Sequence, residues 1–257
     1  MDKIFAELFT KEPIEIIDND YYYDTDQEGD QFRVTDEELL SWVKNNWANK
    51  KQNSFIFDEI ASKIASDGKP FMEIACGPGM GMAPVILMKN PSIPCLATDA
   101  CSKIIKAWRN YINQNLPEYN ISLASFSVLD MPIKDNSFDY VTSLLGIGST
   151  RNGEAGKIKA INEVYRVLKP GGYFIANEIE FVDMAKVEEV HRVWDRKNWY
   201  RENRWHDKFI SANFQIESED KFQIRKFTKD DNDFGEAAHR LGIEIEIKTT
   251  LYVLRRS

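Results

Sequence analysis

From Lys69 onward, short apolar runs alternate with amphipathic stretches. The candidate strands are Pro70–Ala75, Ile93–Thr98, Ile121–Phe126, Asp139–Leu144 and Tyr173–Asn177. Runs of this length, separated by helical segments, predict a parallel sheet with helices on its faces. Between the fourth and fifth strands, Gly156 to Leu168 reads as a helix with Ile158, Ile161, Val164, Tyr165 and Leu168 on one face. Lys169-Pro170-Gly171-Gly172 stops it and turns the chain into the next strand. Residues 1–66 have a different pattern and predict a helical and loop cap. In that cap Thr35 and Glu38 open a helix over Leu39–Trp47, because the threonine oxygen can take a free amide while the glutamate reaches back. After Asn177 an aromatic and basic helical stretch runs from about 182 to 209. Thr228-Lys229-Asp230-Asp231 caps a last helix ending at Gly242, and Ile243–Arg255 is β-type, as one strand or two. The division is a cap over 1–66 and an α/β domain over 67–257 that carries a second cap segment at about 182–227.

Composition narrows the class. A chain of 257 residues suits one large domain, with room for an insertion. No apolar run approaches the roughly 20 residues of a membrane helix, and Met1-Asp2-Lys3-Ile4 lacks the layout of a signal peptide. Cys76, Cys95 and Cys101 have no paired spacing, which points to a reduced, cytoplasmic compartment. Net charge is −8, and Glu12 to Glu38 holds eleven carboxylates against one base, Arg33. No basic footprint for phosphates exists, so neither nucleic acid nor a membrane is an expected partner. The acidic stretch Asp18–Asp30, with Tyr21-Tyr22-Tyr23 inside it, reads as a solvated surface.

The chemistry is concentrated where the first strand runs into Ala75-Cys76-Gly77-Pro78-Gly79-Met80-Gly81. Gly77 and Gly79 permit a tight turn with close approach to a ligand, and the following helix offers amides to an anionic group. Met82 stands where a dinucleotide fingerprint needs its third glycine, which counts against a nicotinamide dehydrogenase. Asp99 closes the second strand 26 residues after Glu73, at the point where an acid can accept both hydroxyls of a ribose.

With these residues the sequence resembles the class I S-adenosylmethionine-dependent methyltransferases, especially the small-molecule branch, over about Lys69 to Glu178. Glu73-Ile74-Ala75-Cys76-Gly77-Pro78-Gly79 is similar to the family's first motif, with Ala75 replacing a glycine. Asp135-Asn136-Ser137-Phe138-Asp139 resembles the entry to its fourth strand, and Glu163 to Gly172 resembles its helix-to-fifth-strand signature. The resemblance implies a Rossmann-like, doubly wound, mostly parallel sheet with helical caps, and S-adenosyl-L-methionine as cofactor. It implies cofactor contacts at Glu73, Ala75, Cys76, Gly77, Gly79, Asp99, Ala100, Ser127, Val128 and Leu144. Counting back from Met131-Pro132, the adenine-binding acid falls on Ser127, with Asp130 as the alternative.

No catalytic residue is indicated by the sequence, and no metal site is expected. Glu178 lies at the sheet's carboxyl edge, but the fourth strand is followed by Leu144-Leu145-Gly146 and supplies no second acid. Cys76 reads as a packed thiol, and His191, His206 and His239 lack metal-ligand clustering. Trp194, Trp199, Tyr200 and Trp205, with Arg196, Arg201 and Arg204, form either a core-packing helix or a lid. The turn Gly146-Ile147-Gly148-Ser149 is expected to leave room for an acceptor. The expected activity is methyl transfer to an O, N or C atom of a small-molecule acceptor. The alternatives are a peptide or protein acceptor, or a non-catalytic cofactor-binding partner subunit.

Overall fold

The computed structural model describes residues 1–23, 34–49, 56–150, 153–193, 205–229 and 233–257. In chain order the strands are β1 (Glu15–Ile17), β2 (Asp20–Tyr22), β3 (Phe71–Glu73), β4 (Cys95–Asp99), β5 (Ile121–Ser125), β6 (Phe138–Leu144), β7 (Leu168–Phe181), β8 (Phe214–Phe227) and β9 (Ile245–Arg256). They form a sheet in the order β1-β2-β5-β4-β3-β6-β7-β9-β8. All neighbours from β2 to β7 are parallel, whereas β9 runs antiparallel to both β7 and β8. The sheet starts its parallel core at the centre with β3, extends through β4 and β5 to one side, then crosses to β6 and β7. That reversal leaves a crevice at the carboxyl ends of β3 and β6, where open α/β sheets bind ligands.

Helices cover both faces. On one side α2 (Asp36–Asn49), α3 (Asp58–Asp67), α4 (Ala83–Lys89) and α5 (Ser102–Asn115) bury Leu39, Val43, Ile64, Ile86 and Trp108 against the sheet. On the other side α1 (Lys3–Ala6), α6 (Gly153–Val167) and α8 (Trp205–Ser211) bury Phe5, Ile161, Val164, Trp205 and Phe209. A third cluster joins α7 (Met184–His191) and α9 (Asp233–Arg240) to the ends of β7 and β9 through Phe181, Val190, Phe234 and Ile247. The expected box opens α2: Glu38 N donates to Thr35 Oγ1 at 3.2 Å, and Thr35 N donates to Glu38 Oε2 at 2.9 Å.

The N-terminal extension departs from its expected helix-and-loop form. Asp18 and Asn19 both take positive φ, 51° and 65°, and make the two-residue turn that suits hairpin twist. The hairpin then adds to the edge of β5, with Tyr21 opposite Ala124 and Tyr22 opposite Ser125. The described part of the acidic stretch is consequently more than a solvated surface. Tyr22 and Tyr23 are buried, and the buried Asp20 receives Arg109 of α5 through Nε at 2.7 Å and Nη2 at 2.5 Å.

The segment 182–227, expected as a cap, also divides differently. From Phe214 it is β8, an edge strand of the main sheet, because the tail forms one long strand, β9, that can pair on both sides. Lys169–Gly172 does interrupt the chain, as an irregularity between the pairs Phe138↔Leu168 and Tyr140↔Tyr173. Asp230 and Asp231, expected to cap α9, lie outside the described residues, as do Trp194, Arg196, Trp199, Tyr200, Arg201 and Arg204. Among the described residues no helix is long and apolar enough to cross a membrane.

Candidate cofactor-binding site

The glycine turn is built from left-handed residues. Ala75, Gly77, Met80 and Gly81 have φ of 48°, 54°, 54° and 53°. Gly79 is not among them; with Gly77 and Pro78 it forms one turn of 3-10 helix. The second glycine required by backbone geometry is therefore Gly81, where a Cβ would also lie 1.8 Å from Glu73 Oε1.

Glu73 explains that crowding. Its carboxylate is fully buried and accepts from Met82 N at 3.1 Å and from Thr142 Oγ1 at 2.5 Å. It thus occupies the amide at the entrance to α4, where an external anionic group was expected. Glu73 acts from beneath the turn, as a support.

Eight of the ten expected contacts share one setting. Ala75, Gly77, Gly79, Asp99, Ala100, Ser127, Val128 and Leu144 are all half-buried and lie just at or beyond the carboxyl ends of β3, β4, β5 and β6. Glu73 and Cys76 are buried below them. Asp99 ties two of these segments together: its Oδ2 accepts from Gly77 N at 2.9 Å and its Oδ1 from Cys101 N at 2.8 Å. Burial pushes the Asp99 carboxyl above its usual range, opposed by these two amides. Two accepted bonds leave a carboxylate with further acceptor positions, as a diol requires. Burial also pushes the Cys76 thiol well up, which suits packing and opposes nucleophilic use.

The adenine alternatives separate clearly. Ser127 is half-buried and its Oγ accepts from Leu129 N at 3.2 Å. Asp130 is exposed and paired with Lys11 Nζ at 2.9 Å.

Glu178 is more than a residue at the sheet edge. Its carboxyl is in fact buried and accepts from Ile147 N at 3.1 Å and from Gly148 N at 3.2 Å. Burial pushes it up to about 8, against the pull of the two amides and of Lys157. The glycines of the turn after β6 are thereby accounted for without an acceptor. A Cβ on Gly148 would sit 2.7 Å from Glu178 Oε2, and one on Gly146 would sit 2.6 Å from Ser143 Oγ. That space is occupied by the protein itself, which corrects the expectation of room for a ligand there. Beside the turn, Trp205 is buried, donates from Nε1 to Ile179 O at 3.0 Å, and has Lys157 Nζ 5.4 Å from its ring centre. Of the histidines noted in the sequence, His191 packs its ring 5.3 Å from Phe234, and the exposed His206 pairs with Glu219 at 2.8 Å.

A central parallel sheet, an antiparallel strand second from its edge and a glycine turn bonded to the acid that ends the next strand make a Rossmann-like arrangement, in which ligands bind at the carboxyl edge. A family profile described as a methyltransferase domain matches residues 72–176. Over 125 residues the chain is 31% identical to the ubiquinone/menaquinone biosynthesis C-methyltransferase UbiE of Brucella canis, covering 49% of this chain and 43% of that protein. The protein of the same name from Rickettsia felis is 28% identical over 141 residues, covering 53% and 55%. The chain thus spans about half the length of the curated relatives it matches. Among solved structures, a proposed methyltransferase from Bacillus halodurans C-125 aligns at a TM-score of 0.60 and 19% identity, over 77% of this chain and 97% of that one. A Pyrococcus horikoshii OT3 protein aligns at 0.57 and 16% identity, over 90% and 100%. Residues 72–176 are thus similar to a methyltransferase domain, and the sheet has the Rossmann-like fold of these solved structures.

Proposed function

We propose that this chain transfers the methyl group of S-adenosylmethionine to an O, N or C atom of a small-molecule acceptor. The observation that carries the reading is the Gly77–Asp99 pairing at the carboxyl edge, which brings the glycine turn and the acid of β4 to one place. In this reading Asp99 takes the ribose hydroxyls. Ser127 Oγ and the Val128 amide meet the adenine, and Ala100 lines the same side. Ala75, Cys76, Gly77 and Gly79 follow the remainder of the cofactor with their backbone, and Leu144 closes the site across the crevice. Glu73 holds the turn in shape. The bound cofactor supplies an electrophilic methyl group. The chain's own task is then alignment and exclusion of water, which in-line displacement needs more than a strong acid or base. The Brucella relative is named a C-methyltransferase, and C-methylation is one of the three transfers included here. Three buried free thiols, Cys76, Cys95 and Cys101, support a reducing, cytoplasmic setting.

The test has two arms. S-adenosylmethionine and S-adenosylhomocysteine should raise the melting temperature while NAD and ATP leave it unchanged, as expected for ligands that bind only the folded state. Methyl-labelled cofactor incubated with fractionated cell extract should label a low-molecular-weight product. Label in protein fractions instead would move the acceptor to a polypeptide. Binding without label in any fraction would mark a cofactor-binding partner subunit.

A further inference from the structure

We propose that Trp108 of α5 and Asn46 of α2 are positioning residues for the glycine turn, and so make the N-terminal extension part of the cofactor site. The inference rests on the cofactor reading above. Gly77 is held from both sides of its peptide groups. Its amide goes to Asp99, and its carbonyl accepts Trp108 Nε1 at 2.9 Å. Met80 N also donates to that carbonyl, at 3.4 Å, so the indole makes the shorter bond. One residue further on, Pro78 O accepts Asn46 Nδ2 at 3.3 Å. Trp108 is fully buried and cannot follow the turn if it moves, because Trp47 of α2 packs edge-on against it at 6.1 Å and Tyr111 at 5.9 Å.

Gly77 holds a left-handed φ, which sets how its carbonyl is aimed relative to the amide bonded to Asp99, and glycine has little intrinsic preference for that conformation. An external hydrogen bond to its carbonyl fixes the peptide plane and selects the binding form in advance. Preorganisation of this kind raises affinity by reducing the ordering that binding would otherwise require. The placement also gives α2 a role distinct from covering an acceptor: its Asn46 and Trp47 reach the cofactor turn directly and through Trp108.

Trp108→Phe keeps an aromatic ring in the core and removes the N–H, while Asn46→Ala changes an exposed residue and leaves the core intact. Calorimetry with S-adenosylhomocysteine should show affinity lower by about tenfold in Trp108→Phe and about threefold in Asn46→Ala, the scale of one hydrogen bond each. Amide exchange at Gly77 should quicken in both variants, with the Asn46→Ala melting temperature unchanged. The indole N–H resonance that disappears in Trp108→Phe should shift when wild type takes up S-adenosylhomocysteine. Unchanged affinity in both variants overturns the proposal, even if Trp108→Phe melts earlier, because that is the mark of a purely structural indole. If wild type fails to bind S-adenosylhomocysteine, the functional reading falls. The Gly77 exchange rates then decide whether these residues hold the turn.

Discussion

Ala75 is a non-glycine residue at φ 48°, a conformation that costs an L-residue about 1–2 kcal/mol. It stands where the family's motif has glycine, so the turn carries strain that its supports must offset. Asp99 is one such support as well as the proposed ribose acceptor. Asp99→Ala should weaken S-adenosylhomocysteine binding by about 1–3 kcal/mol, since the Gly77 and Cys101 amides lose their partner along with the ligand. Unaltered affinity in calorimetry would remove the ribose assignment. For the adenine end, Ser127→Ala should weaken binding more than Asp130→Asn does, because Asp130 is committed to Lys11 at the surface. The reverse ranking by titration would put the contact at Asp130. Glu178 gives a pH effect with a definite sign. Its folded value of about 8 lies above the ordinary glutamate value of 4.5, so the folded form holds a proton that the unfolded form has lost. Its stabilising contribution is full below about pH 4.5 and is lost as pH rises to about 8, with a slope of at most about 1.4 kcal/mol per pH unit. Glu178→Gln should remove this slope. Melts of both proteins between pH 5 and 9 that fall in parallel would show that Glu178 does not titrate there.

At the scale of elements, the β1–β2 hairpin is held by a side-chain clamp as well as by its pairing with β5. Asp20 has no exposed surface and Arg109 little, so the two-pronged pairing joins the hairpin to α5 away from water. Burial pushes Asp20 up while Arg109 pulls it back. Breaking a buried pair by removing one partner costs about 3–5 kcal/mol. Arg109→Ala should therefore lower stability by about 3 kcal/mol in urea unfolding; a loss under about 1 kcal/mol would make the clamp incidental. Removing residues 1–30 would strip the hairpin from β5 and expose Tyr22 and Tyr23's packing partners, such as Phe126. Such a truncation reports on folding as much as on turnover, so a test of the extension's role is better made by single substitutions. The capping box of α2 was legible because it is a local pattern at fixed spacing. The hairpin was not, since strands of three residues are too short for alternation to register, and the one local signal was the Asp18-Asn19 pair at its turn.

Over the whole molecule, the parallel core was readable because each of its strands is a buried apolar run followed by turn residues. The half-buried rim of Ala75, Gly77, Asp99, Ala100, Ser127 and Leu144 was readable for a related reason: motif residues sit where strands end. What escaped depends on distant partners. Nothing near Trp108 in the chain announces that its indole will meet Gly77, and β8 looked like cap because its apolar positions are interrupted by charges suited to an edge. The same distance has a temporal consequence. Strand β9 lies inside the sheet, between β7 and β8, although it is made after both. While the chain is being synthesised, β8 has no neighbour to join until residues 245–256 have left the ribosome. The inner flank of β7 stays bare for the same interval, from Tyr173 to Phe181. A nascent chain halted in that window would carry two unpaired strand edges at once, the condition under which chaperone capture or aggregation competes with folding.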